Sequence, residues 1–351
     1  MDRATLDQHI ALAQPVRDAD FTNWDLRGAD LSATLFEQCR FDGATLDNAD
    51  LGDSQFVRCS FERTSMDRVT TATTAFFECR VHRCSLRYAC LSNTTWYKCE
   101  IRDLAFNDAQ LDFVTFSQGS LNNLLFRRAR VDKLVLAPAQ LGKLDFAAAA
   151  LRECVFHECD LTQASFADAA ISKTIFVKAN LSQLSFVGLR MEQPQFTEAT
   201  LEGADFSSAI LIQANFTKAK LSRARFQTAK AVQCLFIEAD LTSADFSASQ
   251  LRQSLFVRAC AESALFSDAD MHQANLMEAR LGKAVLRNCE LTYADLSHAN
   301  LEQADLSGST MFRANLHGAK LDGTLFTDRS SALGDEPQRL ASERWAARPA
   351  I

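Results

Sequence analysis

No apolar run in this sequence of 351 residues is long enough to span a bilayer. The opening stretch, "MDRATLDQHIALAQPV", scatters charges where a targeting signal would carry an unbroken apolar core. A dominant charge of one sign is also lacking. With 37 Lys and Arg against 44 Asp and Glu, the net −7 suggests neither a strong polyanion nor a polycation built to bind nucleic acid. The expectation is a cytoplasmic protein with no membrane contact and no direct nucleic-acid contact, in which eleven cysteines stay reduced.

Insertions are missing as well. From Phe21 to Phe326 every fifth residue is Leu, Phe, Met, Ile, Val or Trp, with Thr71, Ala231 and Ala261 as the exceptions. Two residues before each of these large slots lies a second series, mostly Ala, Cys, Ser or Thr, as in Ala199, Ala204, Ala209, Ala214, Ala219, Ala224 and Ala229. A period of five suits neither a helix (3.6) nor a continuous strand (2). It suits a short strand whose small and large residues both point inward, followed by a two-residue corner, so that the chain winds into a coil. Gly28, Gly43, Gly188, Gly203, Gly308, Gly318 and Gly323 all fall at the second corner position, where a left-handed backbone is cheap for glycine.

A longer period sets the number of sides. The large slot alternates, with Phe at every second position from Phe146 to Phe266, which requires an even number. Cys39, Cys59, Cys79 and Cys99 recur every twenty residues. One outward corner sampled every twenty residues reads Glu158, Lys178, Glu198, Lys218, Glu238, Arg258, Glu278, an alternation of sign that makes sense if successive members are neighbours. Twenty residues per turn means four sides of five. The four cysteines then stand in one small inward slot on successive turns and read as a buried thiol column, not as disulfides or metal ligands.

With "ADLSA" from Ala29, "ANLSQ" from Ala179, "ADFSS" from Ala204, "ADLTS" from Ala239 and "ADLSH" from Ala294, the chain resembles the pentapeptide-repeat proteins, whose unit is written A(D/N)LXX. The resemblance implies an all-β solenoid, a right-handed quadrilateral β-helix, here of about fifteen turns. We expect an N-terminal cap over residues 1–15, the repeat over 16–328, and a C-terminal cap or tail over 329–351. Leu6, Ile10 and Leu12 are the apolar residues of the first cap. In the last segment Asp335 reads as a helix N-cap, Pro337 as first-turn proline and Pro349 as a stop, with Leu340 and Trp345 placed to lie over the final coil. In some family members a C-terminal segment makes a dimer, so a homodimer is a second use of that end.

The pattern is weakest over residues 61–150, where Thr71 fills a large slot and Leu104, Leu124, Leu134 and Leu144 fill small ones; a locally repacked, wider core is expected, with a partner-specific bulge as the alternative. Leu184, Leu189 and Pro194 mark a second lapse, where a proline at an inward strand position predicts a lost ladder bond and a local kink.

Little here points to chemistry. In "CVFHECD", Cys154 and Cys159 point inward on adjacent sides while His157 points outward, so the three cannot converge on zinc. Of the six histidines, His9 lies in the cap and five lie at corners, none paired with a candidate nucleophile. With no insertion to form a cleft, no catalytic, cofactor or metal residues are expected, and the protein is read as a non-enzyme without cofactors. The residues flanking one large slot are apolar: Val155, Ile175, Val177, Leu235, Ile237, Leu255, Val257 and Met277. They predict a surface for a protein partner or for self-association, the alternative being that β-branched residues simply suit a flat strand surface. The leading reading is a protein-interaction scaffold or adaptor, with an accessory role in bacterial secretion, such as type VI, as the version that family association suggests. The alternative is a DNA-mimicking modulator of DNA gyrase, as in family members that confer quinolone resistance. Such mimicry needs a persistently acidic surface, yet residues 1–60 balance at −6 and residues 61–130 at +3.

Overall fold

The computed structural model describes residues 1–137 and 140–346, in two compact units, Met1–Ala179 and Asn180–Ile351. In the first unit, strands of two to six residues pair in parallel with partners twenty residues apart: Val16 with Phe36, Phe36 with Phe56, Phe76 with Trp96, and Thr71 with Leu91. Parallel pairing at a constant offset of twenty makes each turn four-sided, the quadrilateral β-helix. Successive rings of one column stack face to face, with centroids 5.1 Å apart for Phe36 and Phe56 and 4.9 Å for Phe56 and Phe76. An adjacent column crosses it edge-on, as Phe41 does to Phe56 at 5.8 Å and 74°. This alternation of stacked and edge-on contacts matches the aromatic quadrupole and leaves the rings buried.

The corners differ from expectation in one respect. A positive φ is adopted there by far more than glycine: Tyr88 has φ 60°, and Lys218, in the second unit, has φ 58°. The reason is a backbone bond to the next turn, in which the second corner residue donates its N–H to the carbonyl nineteen residues on. Gly28 donates to Asp47 at 2.9 Å, Tyr88 to Asn107 at 3.1 Å and Lys218 to Ile237 at 2.9 Å. Stacking thus holds a conformation that an L-residue by itself would avoid.

The irregular segment is a filled core. Leu104, Leu124, Leu134 and Leu144 are fully buried. Two strands there lengthen to six residues, Glu100–Ala105 and Ser120–Leu125, with Leu104, Leu124 and Leu144 in register. Thr71 is buried in its large slot, where its Oγ1 lies 2.6 Å from Thr94 Oγ1. Several hydroxyls and thiols in small slots donate to the carbonyl twenty-three residues earlier, whereas Thr34 and Thr174 donate to the carbonyl two residues before them. Ser54 donates to Leu31 at 2.6 Å, Thr64 to Phe41 at 2.7 Å and Cys79 to Phe56 at 3.2 Å.

The second unit repeats the scheme. Phe196, Phe216, Phe236 and Phe256 stack at 4.8–5.0 Å, and Phe206, Phe226, Phe246 and Phe266 at 4.5–5.1 Å. Pro194 is buried, and its carbonyl accepts from Asn215 at 3.0 Å, while Gln195 pairs with Asn215, so the register runs through the proline. Leu189 is buried and Leu184 half-buried. The offset of twenty ends where Asn315 pairs with Leu333, eighteen residues on.

Two helices flank the repeats. In the first unit α1 (Arg3–Ala11) is capped by the Asp2 side chain, which accepts from Thr5 N–H, and it buries Leu6. Leu12, expected in the cap, is 57% exposed because it follows the helix as its C-cap residue. In the second unit α2 spans Pro337–Ala346. Asp335 does not cap it: its Oδ1 accepts from Gly318 N–H at 2.8 Å, and the first helical bond runs from Leu340 N–H to Glu336 O at 3.0 Å. Pro349 lies outside the described residues.

Candidate functional site

The residues flanking the phenylalanines are positioned by the pleat. In the second unit Phe236 and Phe256 point inward, so Leu235 and Ile237, and Leu255 and Val257, point outward; Met277 follows the inward Leu276 in the same way. All five are half-buried, less open than the sequence suggested, because each turn shields the next. Leu235 and Leu255 bridge in parallel. Their main chain is already occupied: Leu235 O accepts from Phe216 N–H, and Leu255 O from Phe236 N–H, both at 2.7 Å. The face therefore offers apolar side chains and few free polar groups.

Two ladders frame this strip. On the corner before it, amides link from Gln193 to Gln213 at 2.9 Å, Gln213 to Gln233 at 3.4 Å, Gln233 to Gln253 at 3.0 Å and Gln253 to Gln273 at 2.9 Å. On the corner after it, Glu238 is flanked by Lys218 at 3.7 Å and Arg258 at 2.7 Å. Around Glu238 the alternation of sign seen in the sequence is thus a contact pattern, and it neutralises that part of the edge.

In the first unit Val155, Ile175 and Val177 are half-buried, and Val155 bridges Val135 and Ile175. Lys178 and Glu158 lie 3.6 Å apart on the adjoining corner. Cys154 and Cys159 are buried, their thiols directed at Val131 O and Leu136 O, while His157 is exposed. Burial pushes the Cys154 thiol up to about 12. A shallow groove of about 460 Å³ runs over Thr70, Cys90, Ser92, Gln110, Asp112 and Arg130. Cys90 there is an exposed thiol.

At the end of the second unit, Leu340 is half-buried, whereas Trp345 is 75% exposed. Five residues along a helix is a rotation of about 140°, so Trp345 faces away from the side carrying Leu340. The face turned to the coil carries Glu343 instead, half-buried beside His317, which is only 2% exposed. Sequence reasoning missed this contact, since His317 reads as one more outward corner residue and Glu343 follows it by twenty-six positions.

Family models for pentapeptide repeats match residues 25–63 and, in overlapping segments, 219–328, and a pentapeptide repeat region matches 159–233, together more than half of the chain. The chain belongs to the pentapeptide-repeat family. Among solved structures, HetL, a pentapeptide repeat protein involved in heterocyst differentiation regulation from the cyanobacterium Nostoc sp. strain PCC 7120, is 19% identical. That match covers 72% of this chain and 92% of HetL, with a TM-score of 0.28. QnrB1, a plasmid-mediated fluoroquinolone resistance protein, is 15% identical over 77% of this chain and 97% of its own, with a TM-score of 0.20. Rfr23 from the cyanobacterium Cyanothece 51142 is 16% identical over 44% of this chain and 91% of its own, with a TM-score of 0.16. A search of curated proteins returned no match. Among the described residues of this pentapeptide-repeat protein, no helix is long and apolar enough to cross a membrane.

Proposed function

We propose that this pentapeptide-repeat protein is a non-catalytic scaffold that binds another protein through the apolar strip of its second unit. One observation carries the reading: Leu235, Ile237, Leu255, Val257 and Met277 form a half-buried apolar face whose backbone is already hydrogen-bonded and whose edges are a neutral amide ladder and a paired-charge ladder. Such a face favours a flat, largely apolar protein surface with a polar rim. Val155, Ile175 and Val177 give the first unit a smaller patch of the same character. An accessory role in bacterial secretion, such as type VI, is a specific form of this function that rests on family association. The test is the double variant Leu235→Asp, Leu255→Asp. It is expected to lose the partner captured by the wild-type chain from its native host while keeping the wild-type circular dichroism spectrum and melting profile. Undiminished capture of that partner would count against the strip.

A second reading, modulation of DNA gyrase by DNA mimicry, draws on the acidic balance of residues 1–60. The cations paired with Glu158 and Glu238 work against it, because they neutralise a surface that a mimic would keep negative. Inhibition or protection of gyrase in a supercoiling assay would favour mimicry over the scaffold.

A further inference from the structure

His298, His317 and Glu343 converge in the second unit, their ligand atoms all within 4.8 Å of one another. Glu343 Oε2 lies 3.2 Å from His317 Nε2 and 3.4 Å from His298 Nε2. Bonds of about 2.0–2.1 Å to a tetrahedral ion would separate its ligands by about 3.3 Å, so both separations are already those of a shared ion. The two imidazoles stand edge to face, their centroids 5.3 Å apart at 85°.

Each member is set in place by other groups. Gly318 leaves room for the His298 ring, since a Cβ at that position would come within 2.4 Å of His298 Nδ1. Arg339 Nε donates to Glu343 Oε1 at 2.9 Å, which leaves Oε2 turned to the histidines. His317 is 2% exposed, and its Nδ1 accepts from Glu336 N–H at 3.2 Å, so its proton sits on Nε2, toward Glu343. Asp335 Oδ1 stands 3.9 Å from the same Nδ1.

We propose that His298 Nε2, His317 Nε2 and Glu343 Oε2 bind a divalent transition ion of the zinc class, with the fourth position open, and that the ion clips α2 onto the end of the coil. Two imidazoles and one carboxylate are a donor set that zinc accepts. Binding at His317 Nε2 requires the other tautomer, with the proton moved to Nδ1, which gives up the hydrogen bond from Glu336 N–H and faces Asp335 Oδ1, 3.9 Å away. No net proton is released by that exchange.

The full-length chain, freed of metal, is titrated with zinc by calorimetry and with cobalt(II) by visible absorption. One ion per chain is expected, together with the d–d bands of a low-coordinate cobalt site. His298→Ala and Glu343→Gln should each weaken binding by at least about tenfold, while His157→Ala, at an exposed corner of the first unit, should leave it unchanged. Because His317→Ala could release α2 altogether, His317 is followed instead by the nitrogen shifts of its ring, which should exchange protonated and unprotonated positions on zinc addition. Absence of saturable uptake, or uptake indifferent to both His298→Ala and Glu343→Gln, would overturn the proposal and leave the three groups as a hydrogen-bonded latch.

Discussion

The Arg258 guanidinium stands 2.7 Å from Glu238 Oε1, one turn of twenty residues away, and Lys218 reaches the same carboxylate from the preceding turn at 3.7 Å. The hydrogen bond from Arg258, aided by the charge of Lys218, holds the Glu238 carboxyl below its ordinary range. Glu238→Lys would put three cations in a row. A lower melting temperature is expected in low salt, with the loss shrinking as added salt screens the repulsion. Equal losses at both ionic strengths would mean that packing, not charge, sets the effect.

Asp305 gives the pH dependence. Hydrogen bonds from Ser307, then the contact with Arg287 Nε at 2.5 Å, bring its carboxyl down to about 2. A group whose folded pKa is depressed stabilises the fold above its unfolded value, near 4, and ceases to do so as pH falls through about 2. Asp305→Asn should therefore melt lower than wild type at pH 7, and the two should converge near pH 2. A gap that persists in acid would assign the effect to lost packing.

Phe236 tests the core. It stacks on Phe216 at 5.0 Å and Phe256 at 4.8 Å, with Phe226 and Phe246 edge-on at 5.7 and 5.4 Å. Phe236→Ala should cost roughly 3–5 kcal/mol in urea unfolding, and Phe236→Leu clearly less, since leucine fills the same column at Leu276. Similar costs for both would show that ring stacking outweighs filled volume.

Thiol reactivity should sort by burial. Cys90 is exposed and Cys260 half-buried, whereas burial pushes Cys234 and Cys289 up to about 12. In native protein at neutral pH, iodoacetamide should modify Cys90 and then Cys260, with the buried thiols labelled only after denaturation. Peptide mapping showing Cys234 modified as fast as Cys90 would contradict the packing.

Much of the fold was legible because stacking imposes one register on every turn. Phe56 and Phe76 share a column since twenty residues separate them, and Glu238 meets Arg258 for the same reason. The apolar strip was equally readable, as alternation along a short strand puts Leu235 and Ile237 on one side and Phe236 on the other. Its shielding was not, because that depends on how closely the turns stack. The corners misled in a related way: glycine marks the left-handed positions only in part, since the N–H of Tyr88 or Lys218 is held by the next turn whatever its side chain.

The sequence by itself determined the five-residue unit, the four-sided turn and the columns of Phe, Cys and alternating charge, because each follows from periodic contact between residues a constant distance apart. Only the tertiary structure decided what happens where that period stops. After Asn315 pairs with Leu333 the offset is no longer twenty, and α2 folds back so that Glu343 meets His298 and His317 while Trp345 turns outward. No spacing rule links those residues: their meeting depends on the path of a non-repeating segment, which is set by packing against the last coil.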